Sequence, residues 1–253
     1  NPDVGYIETS NSNYTPPDYP NLDAIAYTWT DPYRWARGSE LLSSGRKFNM
    51  TDMIEFQHDY LSIPARSLVP FFKDLRANDR QVEAARQMLM NWDFRLDKDS
   101  IEAGIYVAFE RQLLDNMEAL KVPEVVSDFL NVGMKTSIDM LLAPDGDFGN
   151  DPIAGRDEFL LTTLGEAVAT LREKLGANIE DWVYGQADYK HALIRHPLGA
   201  AVSEEIRSRL ELGPLPRGGN GFTLGATGSG DNQTSGASFR IFIDTRYWDN
   251  TLG

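Results

Sequence analysis

A run of small polar residues near the start of the chain could take part in amide chemistry. Residues 10–13, SNSN, directly follow the short apolar stretch GYIET at residues 5–9. A neutral side-chain amide held beside a reacting carbonyl stabilises the charge that develops on its oxygen, which lowers the barrier by about 3 kcal/mol. The same residues can also supply the hydrogen bonds of an ordinary turn before Pro16, so the residues alone leave both interpretations open.

Other catalytic and metal-binding patterns find little support in the sequence. The chain has no cysteine, which excludes a thiol nucleophile, a zinc-thiolate site and a disulfide framework. The glycine-rich stretch at residues 218–230 lacks the spacing of a phosphate-binding loop, and no G-x-S-x-G elbow is present. Of the three histidines, His58 lies in a helical pattern, while His191 and His196 would point to opposite faces of a strand. Joint metal ligation by these histidines is therefore not expected.

The charge and hydropathy of the chain limit its partners. The 253 residues include 24 Lys and Arg against 38 Asp and Glu, which gives a net charge of −14. Such a charge repels nucleic-acid phosphates and anionic membrane surfaces, and a small molecule or peptide is the expected partner. No stretch approaches the roughly 20 apolar residues that a membrane-spanning helix needs.

The elements that would position the polar run fall into three regions. Residues 1–30 read as sheet and loop, with a core strand predicted at residues 5–9. Residues 31–178 show the helical period, with Asp31 and Pro32 predicted to cap the first helix, and with a capping box predicted at Asp52 and Glu55. The apolar positions that recur at helical spacing are Val82, Ala85, Leu89 and Trp92, then Ile101, Ile105, Phe109, Leu113 and Met117, and then Leu161, Leu164, Val168, Leu171 and Leu175.

Residues 179–253 return to a strand-like pattern. The stretch KHALIRHPL contains strand-like pieces, and in ASFRIFIDT the residues Phe239, Ile241 and Ile243 alternate with less apolar neighbours. This alternation predicts a strand that is buried on at least one face. The order of sheet, helices and sheet predicts an α+β fold.

Taken together, several short stretches resemble the penicillin acylase family of N-terminal nucleophile hydrolases. They are NPDVGYIETSNSN, DYP and DPYRWARG near the start of the chain, LMNWD in its middle, and HPLG, PLPRGGNGFTL and ASFR near its end. The match is clearest over residues 1–38 and 177–253. The sequence is similar to the later part of that family's β chain. The resemblance implies an αββα sandwich with a large helical portion, of which residues 1–253 would form one partial domain.

The resemblance also implies roles for three residues. Asn11 corresponds to an asparagine that donates its side-chain amide to the oxyanion hole. Arg34, in PYRWAR, corresponds to an arginine that borders the catalytic centre. Asp23, shortly after DYP, corresponds to an aspartate that holds one structural calcium ion in some members, and no organic cofactor is implied.

The nucleophile that the resemblance implies lies outside these residues. In this family it is a serine at the newly exposed amino terminus of the β chain, and its own α-amine assists as the base. The sequence begins with Asn1, so we expect a piece of a longer precursor that matures by self-cleavage. The α chain and the rest of the β chain would be its partners, and the fragment would be inactive alone.

The activity implied is hydrolysis of an N-acylated small molecule in the bacterial periplasm or outside the cell. β-Lactam side chains, N-acyl homoserine lactones and lipopeptide acyl tails are the substrates that this family uses. A non-catalytic binding or scaffold protein, or a degenerate acylase homologue, is the alternative, and in either case the asparagine-rich turn would be structural.

Overall fold

The computed structural model describes residues 3–16, 18–25, 29–237, 239–247 and 249, and of Asp23 it describes only the backbone. The α-helices of these residues are α1 (Tyr33–Leu42), α2 (Met50–Phe56), α3 (Ile63–Leu68), α4 (Arg80–Met90), α5 (Ile101–Lys121), α6 (Met134–Leu142), α7 (Pro152–Leu175) and α8 (Glu204–Leu210). The strands are β1 (His191–Ile194) and β2 (Leu212–Pro216). Short 3₁₀ helices occupy Leu22–Ala24, Val69–Phe72, Glu124–Val126, Gly146–Phe148, Ile179–Asp181 and Gly199–Ala201.

The core lies between the two longest helices. α5 packs along α7, and α4 and α6 pack against α5. The first half of α5 is buried on every side, which is typical of a central helix. The helical periods predicted from the sequence are confirmed: Ala85, Leu89, Ile105, Phe109, Leu113, Leu164, Val168 and Leu171 are all buried in one apolar cluster.

A connecting segment crosses α5 at a glycine. The hydroxyl of Tyr189 donates to the carbonyl of Gly104 at 2.8 Å. A Cβ atom at Gly104 would overlap with the carbonyl oxygen of Trp182. Only a glycine lets the backbone come this close to the helix, and this contact joins the helical layer to the region that carries β1.

Two predicted helix caps are replaced by other arrangements. Asp31 does not cap α1, whose N-cap is Pro32 without a side-chain bond. Instead its carboxylate accepts from the backbone N–H groups of Met134 at 3.3 Å and Lys135 at 3.1 Å, which open α6. An aspartate can cap any helix whose first N–H groups its carboxylate reaches. The fold brings the start of α6, rather than that of α1, to the carboxylate of Asp31.

The capping box of α2 is also shifted along the chain. Asn49 is the N-cap, and its side chain and that of Asp52 exchange hydrogen bonds with each other's backbone N–H groups. The prediction that Asp52 opens this helix with Glu55 was therefore wrong by one turn.

The sheet of the described residues consists of β1 and β2, which pair antiparallel. His191 lies opposite Pro216, and Ala192 opposite Leu215. The mixture of helices with this antiparallel pair is compatible with the predicted α+β class.

The core strand predicted at residues 5–9 is wrong. These residues form no strand, and Ile7 is 71% exposed. A strand is stable only when its backbone pairs with a neighbour, and no strand of the described residues pairs with this segment. A turn that begins at Ser10 follows directly.

The buried strand predicted for ASFRIFIDT is also wrong. The alternation is present, but Phe239 is 77% exposed, and Ile241 and Ile243 are exposed as well. The less exposed residues are Arg240, Phe242 and Asp244. The predicted alternation is present in the exposure of these side chains, but the less exposed side is not the one predicted to be buried, and Ser238 lies outside the described residues.

In the part of the chain that the structure describes, no helix is both long and apolar enough to cross a lipid bilayer.

Candidate active site

A tight turn, rather than a strand end, presents Asn11. Ser10 and Asn11 have φ values of +40° and +63°, and the N–H of Ser12 donates to the carbonyl of Thr9 at 2.6 Å. Left-handed backbone is uncommon outside glycine, and asparagine is among the residues that tolerate it best. The turn leaves the Asn11 side chain exposed.

Arg34 contacts Asn11 directly. Its Nη2 donates to Oδ1 of Asn11 at 2.8 Å. The hydroxyl of Thr30 donates to the backbone carbonyl of Asn11 at 3.1 Å. Arg34 lies in the first turn of α1, directly after Asp31, whose bonds to α6 hold this end of the helix. Both residues that the sequence analysis placed at the site are therefore adjacent.

The bond from Arg34 determines how the Asn11 amide is oriented. A guanidinium has only donors, so the asparagine must turn its oxygen toward it and its NH₂ group away. No acceptor in the described part of the chain bonds to that NH₂ group. Asn11 thus presents a neutral, oriented N–H donor, which is the group that a developing oxyanion requires.

Arg34 remains a cation at neutral pH. Partial burial lowers its pKa from the usual value, and the carboxylate of Glu8 acts in the opposite direction. The carboxylate of Glu8 also accepts from the hydroxyl of Ser10. It lies against Gly38 of α1, where a Cβ atom would be only 2.6 Å from the carboxylate carbon. Glu8 therefore connects the turn to α1 on the other side of Asn11.

Asn11 and Arg34 line a cavity of about 480 Å³. The cavity is also lined by small residues of the glycine-rich stretch and its continuation, among them Gly221, Gly228, Ser229 and Ser235. A second cavity of about 560 Å³ shares Arg34, Gly221 and Ser229 and is lined in addition by Trp29, Asn131 and Phe222. Arg34, Gly221 and Ser229 thus border both cavities.

We call residues 218–230 the glycine-rich loop. Thr227 closes it internally, because its hydroxyl donates to the carbonyl of Gly218 at 2.9 Å. Asn220 joins it to α5, because Nδ2 donates to Oε1 of Glu110 at 2.7 Å. The sequence analysis found that this loop lacks a phosphate-binding motif and that PLPRGGNGFTL, which overlaps it, resembles the acylase family, but it assigned the loop no place in the site. Its density of glycine was a sign of close backbone approach, but the pattern did not say what approaches it.

Neither serine in the cavity wall has the environment of an activated nucleophile. No histidine or carboxylate of the described residues forms a hydrogen bond with the hydroxyl of Ser229 or Ser235. The histidines His58, His191 and His196 are absent from the lining of this cavity, and each has a ring nitrogen in contact with backbone.

The predicted calcium ligand cannot be placed at the site. Asp23 lies in the 3₁₀ helix Leu22–Ala24, but its side chain is outside the described residues. The described residues contain no group of three or more histidine, aspartate or glutamate side chains that could hold a metal ion. Because the side chain of Asp23 is not described, the calcium site stays a prediction.

Comparison with known proteins identifies two bacterial relatives. The chain is 26% identical over 271 aligned positions to the acyl-homoserine lactone acylase QuiP of Pseudomonas aeruginosa, covering 92% of the chain and 31% of that protein. It is 28% identical over 270 positions to the penicillin acylase 2 proenzyme of a Pseudomonas species, covering 99% of the chain and 32% of that protein. The chain thus spans about a third of the length of these relatives.

The family model for penicillin amidase matches the whole chain, residues 1–253. This match agrees with the resemblance of the turn, the PYRWAR stretch and the glycine-rich loop. The chain belongs to the penicillin amidase family.

Proposed function

We propose that this chain supplies the oxyanion-stabilising part of an amidohydrolase that cleaves N-acylated small molecules. The observation that carries the proposal is the 2.8 Å hydrogen bond from Arg34 to Oδ1 of Asn11. It leaves the amide hydrogens of Asn11 available beside a cavity. Asn11 is the catalytic residue in this proposal, and Arg34 is the residue that positions it.

The chemistry is acyl transfer in two steps. The hydroxyl oxygen of an amino-terminal serine, supplied from outside these residues, bonds to the amide carbon, and its proton passes to the α-amine. Negative charge develops on the carbonyl oxygen, where the N–H of Asn11 stabilises it by about 3 kcal/mol. The C–N bond then breaks and the amine leaves with a proton. Water hydrolyses the ester to a carboxylic acid in the second step.

The substrate class that we propose is the linear amide of an N-acyl homoserine lactone or of an N-acyl β-lactam. These are the compound classes in the names of the two relatives, and each contains an acyl group joined to a small amine. The two neighbouring cavities at Arg34 are compatible with such a molecule.

Family membership is the basis for what we propose about the rest of the protein. We propose that the described residues form part of an αββα sandwich whose other strands lie elsewhere in the protein. The complete protein would be a precursor, processed into an α chain and a β chain in the periplasm or outside the cell. Asp23 would contribute to one structural calcium ion.

One experiment on the complete protein tests this function. The protein is incubated with an N-acyl homoserine lactone and with a penicillin, and release of the free amine is measured. The amino terminus of the chain that contains these residues is sequenced in parallel. We expect amine release and an amino-terminal serine. An alanine at the amino terminus, or an unprocessed chain without activity, would refute the proposed enzymatic function and favour a binding or scaffold protein.

A further inference from the structure

A fully buried lysine binds backbone carbonyls of the glycine-rich loop. Lys190 is 0% exposed. Its Nζ donates to the carbonyls of Thr227 at 3.0 Å, Gly228 at 2.9 Å and Gly230 at 2.7 Å. An ammonium has three N–H donors and no acceptor, so this one loop uses its entire hydrogen-bonding capacity.

The backbone of Lys190 is itself held on both sides. Its N–H donates to the carbonyl of Tyr184 at 2.9 Å, and its own carbonyl accepts from the N–H of Arg217 at 3.1 Å. The next residue, His191, begins β1 and donates through its N–H to the carbonyl of Asp231 at 2.9 Å. The backbone of Lys190 is therefore fixed, and its side chain holds the loop relative to this fixed segment.

The same short stretch of the loop supplies the carbonyls that Lys190 binds and lines the cavity. Gly228 and Ser229, which lie within the stretch that Lys190 holds, line the cavity together with Asn11 and Arg34. The neighbouring Gly221 lines it as well. A displacement of residues 227–230 would therefore change the shape of the cavity beside Asn11.

We propose that Lys190 is a positioning residue for acyl transfer, and this inference rests on the proposed acylase function. Its ammonium holds residues 227–230 so that the loop forms a rigid wall of the cavity that Asn11 also lines. It touches neither the substrate nor Asn11, and it acts through the backbone carbonyls that it binds.

Burial and the surrounding charges make the hydrogen bonds from Lys190 to the loop sensitive to pH. Burial, and then the nearby Arg111, lower the pKa of Lys190 to about 8, while Asp231 acts in the opposite direction and Arg217 adds to the lowering. Asp231 in turn is paired with Arg111 of α5 and Lys174 of α7. Above this pKa the neutral amine has two hydrogens for three carbonyls. We therefore expect one of these carbonyls to lose its donor in mildly alkaline solution.

The test compares Lys190→Met with Lys174→Met in the complete protein. Lys174 is the matched control, because it pairs with Asp231 of the same segment but binds no loop carbonyl. Three quantities are measured: hydrogen exchange of residues 218–230, kcat and KM for an N-acyl amide, and the dependence of kcat/KM on pH.

For Lys190→Met we expect at least tenfold faster exchange in the loop with unchanged exchange in α5 and α7. We also expect at least a tenfold lower kcat/KM, and the loss of the alkaline decline that the wild type shows near the pKa of Lys190. Lys174→Met should stay close to the wild type in all three.

Three outcomes would overturn the inference. They are unchanged exchange in the loop, faster exchange with unchanged kcat/KM, and equal acceleration throughout the helices. If Lys190→Met does not fold, the dependence of kcat/KM on pH is measured for Lys190→Arg instead. Its alkaline decline should move to higher pH because a guanidinium keeps its charge, and an unmoved decline would overturn the inference. A wild type that hydrolyses no N-acyl amide refutes the proposed function, whereas an active wild type with an unaffected Lys190 variant refutes only this role.

Discussion

Nη2 of Arg34 lies 2.8 Å from Oδ1 of Asn11. This contact joins the first turn of α1 to a left-handed turn that precedes it by 23 residues, and it turns the Asn11 amide hydrogens away from the arginine. An exposed asparagine is otherwise free to rotate, and an oriented donor is what electrostatic catalysis requires, because it needs no rearrangement during the reaction.

Replacing Asn11 should lower the rate of acylation without unfolding the protein. In Asn11→Ala we expect kcat to fall by about a hundredfold or more, because one oxyanion donor is lost. The protein should stay folded, because the side chain is exposed and alanine in the left-handed turn costs only about 1–2 kcal/mol. Asn13→Ala is the control, since Asn13 is exposed and its side-chain oxygen accepts from the N–H of Thr15.

Asn11→Asp tests the loss of the N–H donor while the shape of the side chain is kept. An aspartate still accepts from Arg34, but it has no N–H and it brings a negative charge to the oxyanion position. The loss of kcat should therefore equal or exceed that of Asn11→Ala. Wild-type turnover in either variant would remove Asn11 from the site.

Replacing Arg34 should release the Asn11 amide. We expect kcat/KM of Arg34→Met to fall about tenfold or more, because a hydrogen bond from a charged donor contributes about 1.5–3 kcal/mol. Arg66→Met is the matched control, since Arg66 also contacts α1, through Glu40 at 2.9 Å, but does not line the cavity. Equal kcat/KM in Arg34→Met and the wild type would show that some other group orients Asn11.

The buried carboxyl of Glu110 should make stability depend on pH. Burial raises its pKa to about 7, while Tyr106, Arg111 and Asn220 act in the opposite direction. Because the folded pKa exceeds the unfolded one, the contribution to stability is complete below about pH 4.5 and is lost as pH rises through about 7. The free energy of unfolding should therefore fall across this range.

Glu110→Gln should remove this dependence and stabilise the protein near pH 8 by on the order of 1–3 kcal/mol. The glutamine keeps the oxygen that accepts from Asn220, and it avoids burying a charge. Denaturant unfolding from pH 4.5 to 8 measures the difference, with Glu173→Gln on the exposed face of α7 as the control. Parallel curves for Glu110→Gln and the wild type would contradict this account.

Two helical glycines should respond in opposite ways to alanine. Gly104→Ala should destabilise the protein by about 2 kcal/mol or more, because its Cβ would overlap with the backbone of Trp182. Gly165→Ala on α7 should stabilise it by up to about 1 kcal/mol, because the nearest atom to its Cβ is 4.0 Å away and alanine favours the helix. Thermal unfolding of both variants checks the pair, and a stable Gly104→Ala would mean that the crossing segment is not held against α5.

Metal analysis of the complete protein tests the role of Asp23. We expect about one calcium ion per molecule, lost after treatment with a chelator and in Asp23→Ala, with a lower melting temperature in both cases. Purified protein without stoichiometric calcium would end this proposal.

The sequence by itself was sufficient for the family and for the helical periods of the core, and it nominated Asn11 and Arg34 as site residues. Apolar residues at helical spacing predicted α4, α5 and α7, because a helix that packs on a core must repeat its apolar face every three to four residues. The order of short motifs indicated the penicillin acylase family and led to Asn11 and Arg34. These features are local, and each can be recognised without knowing what lies next to it.

Contacts between distant segments were decided only by the tertiary structure. Asp31 caps α6 rather than α1, residues 5–9 have no strand partner among the described residues, and Lys190 binds the loop that forms the cavity wall. A strand needs a neighbour, and a buried charge needs acceptors from another part of the chain. The sequence determined which groups are present, and the fold determined that Arg34 bonds to the amide oxygen of Asn11 beside the cavity.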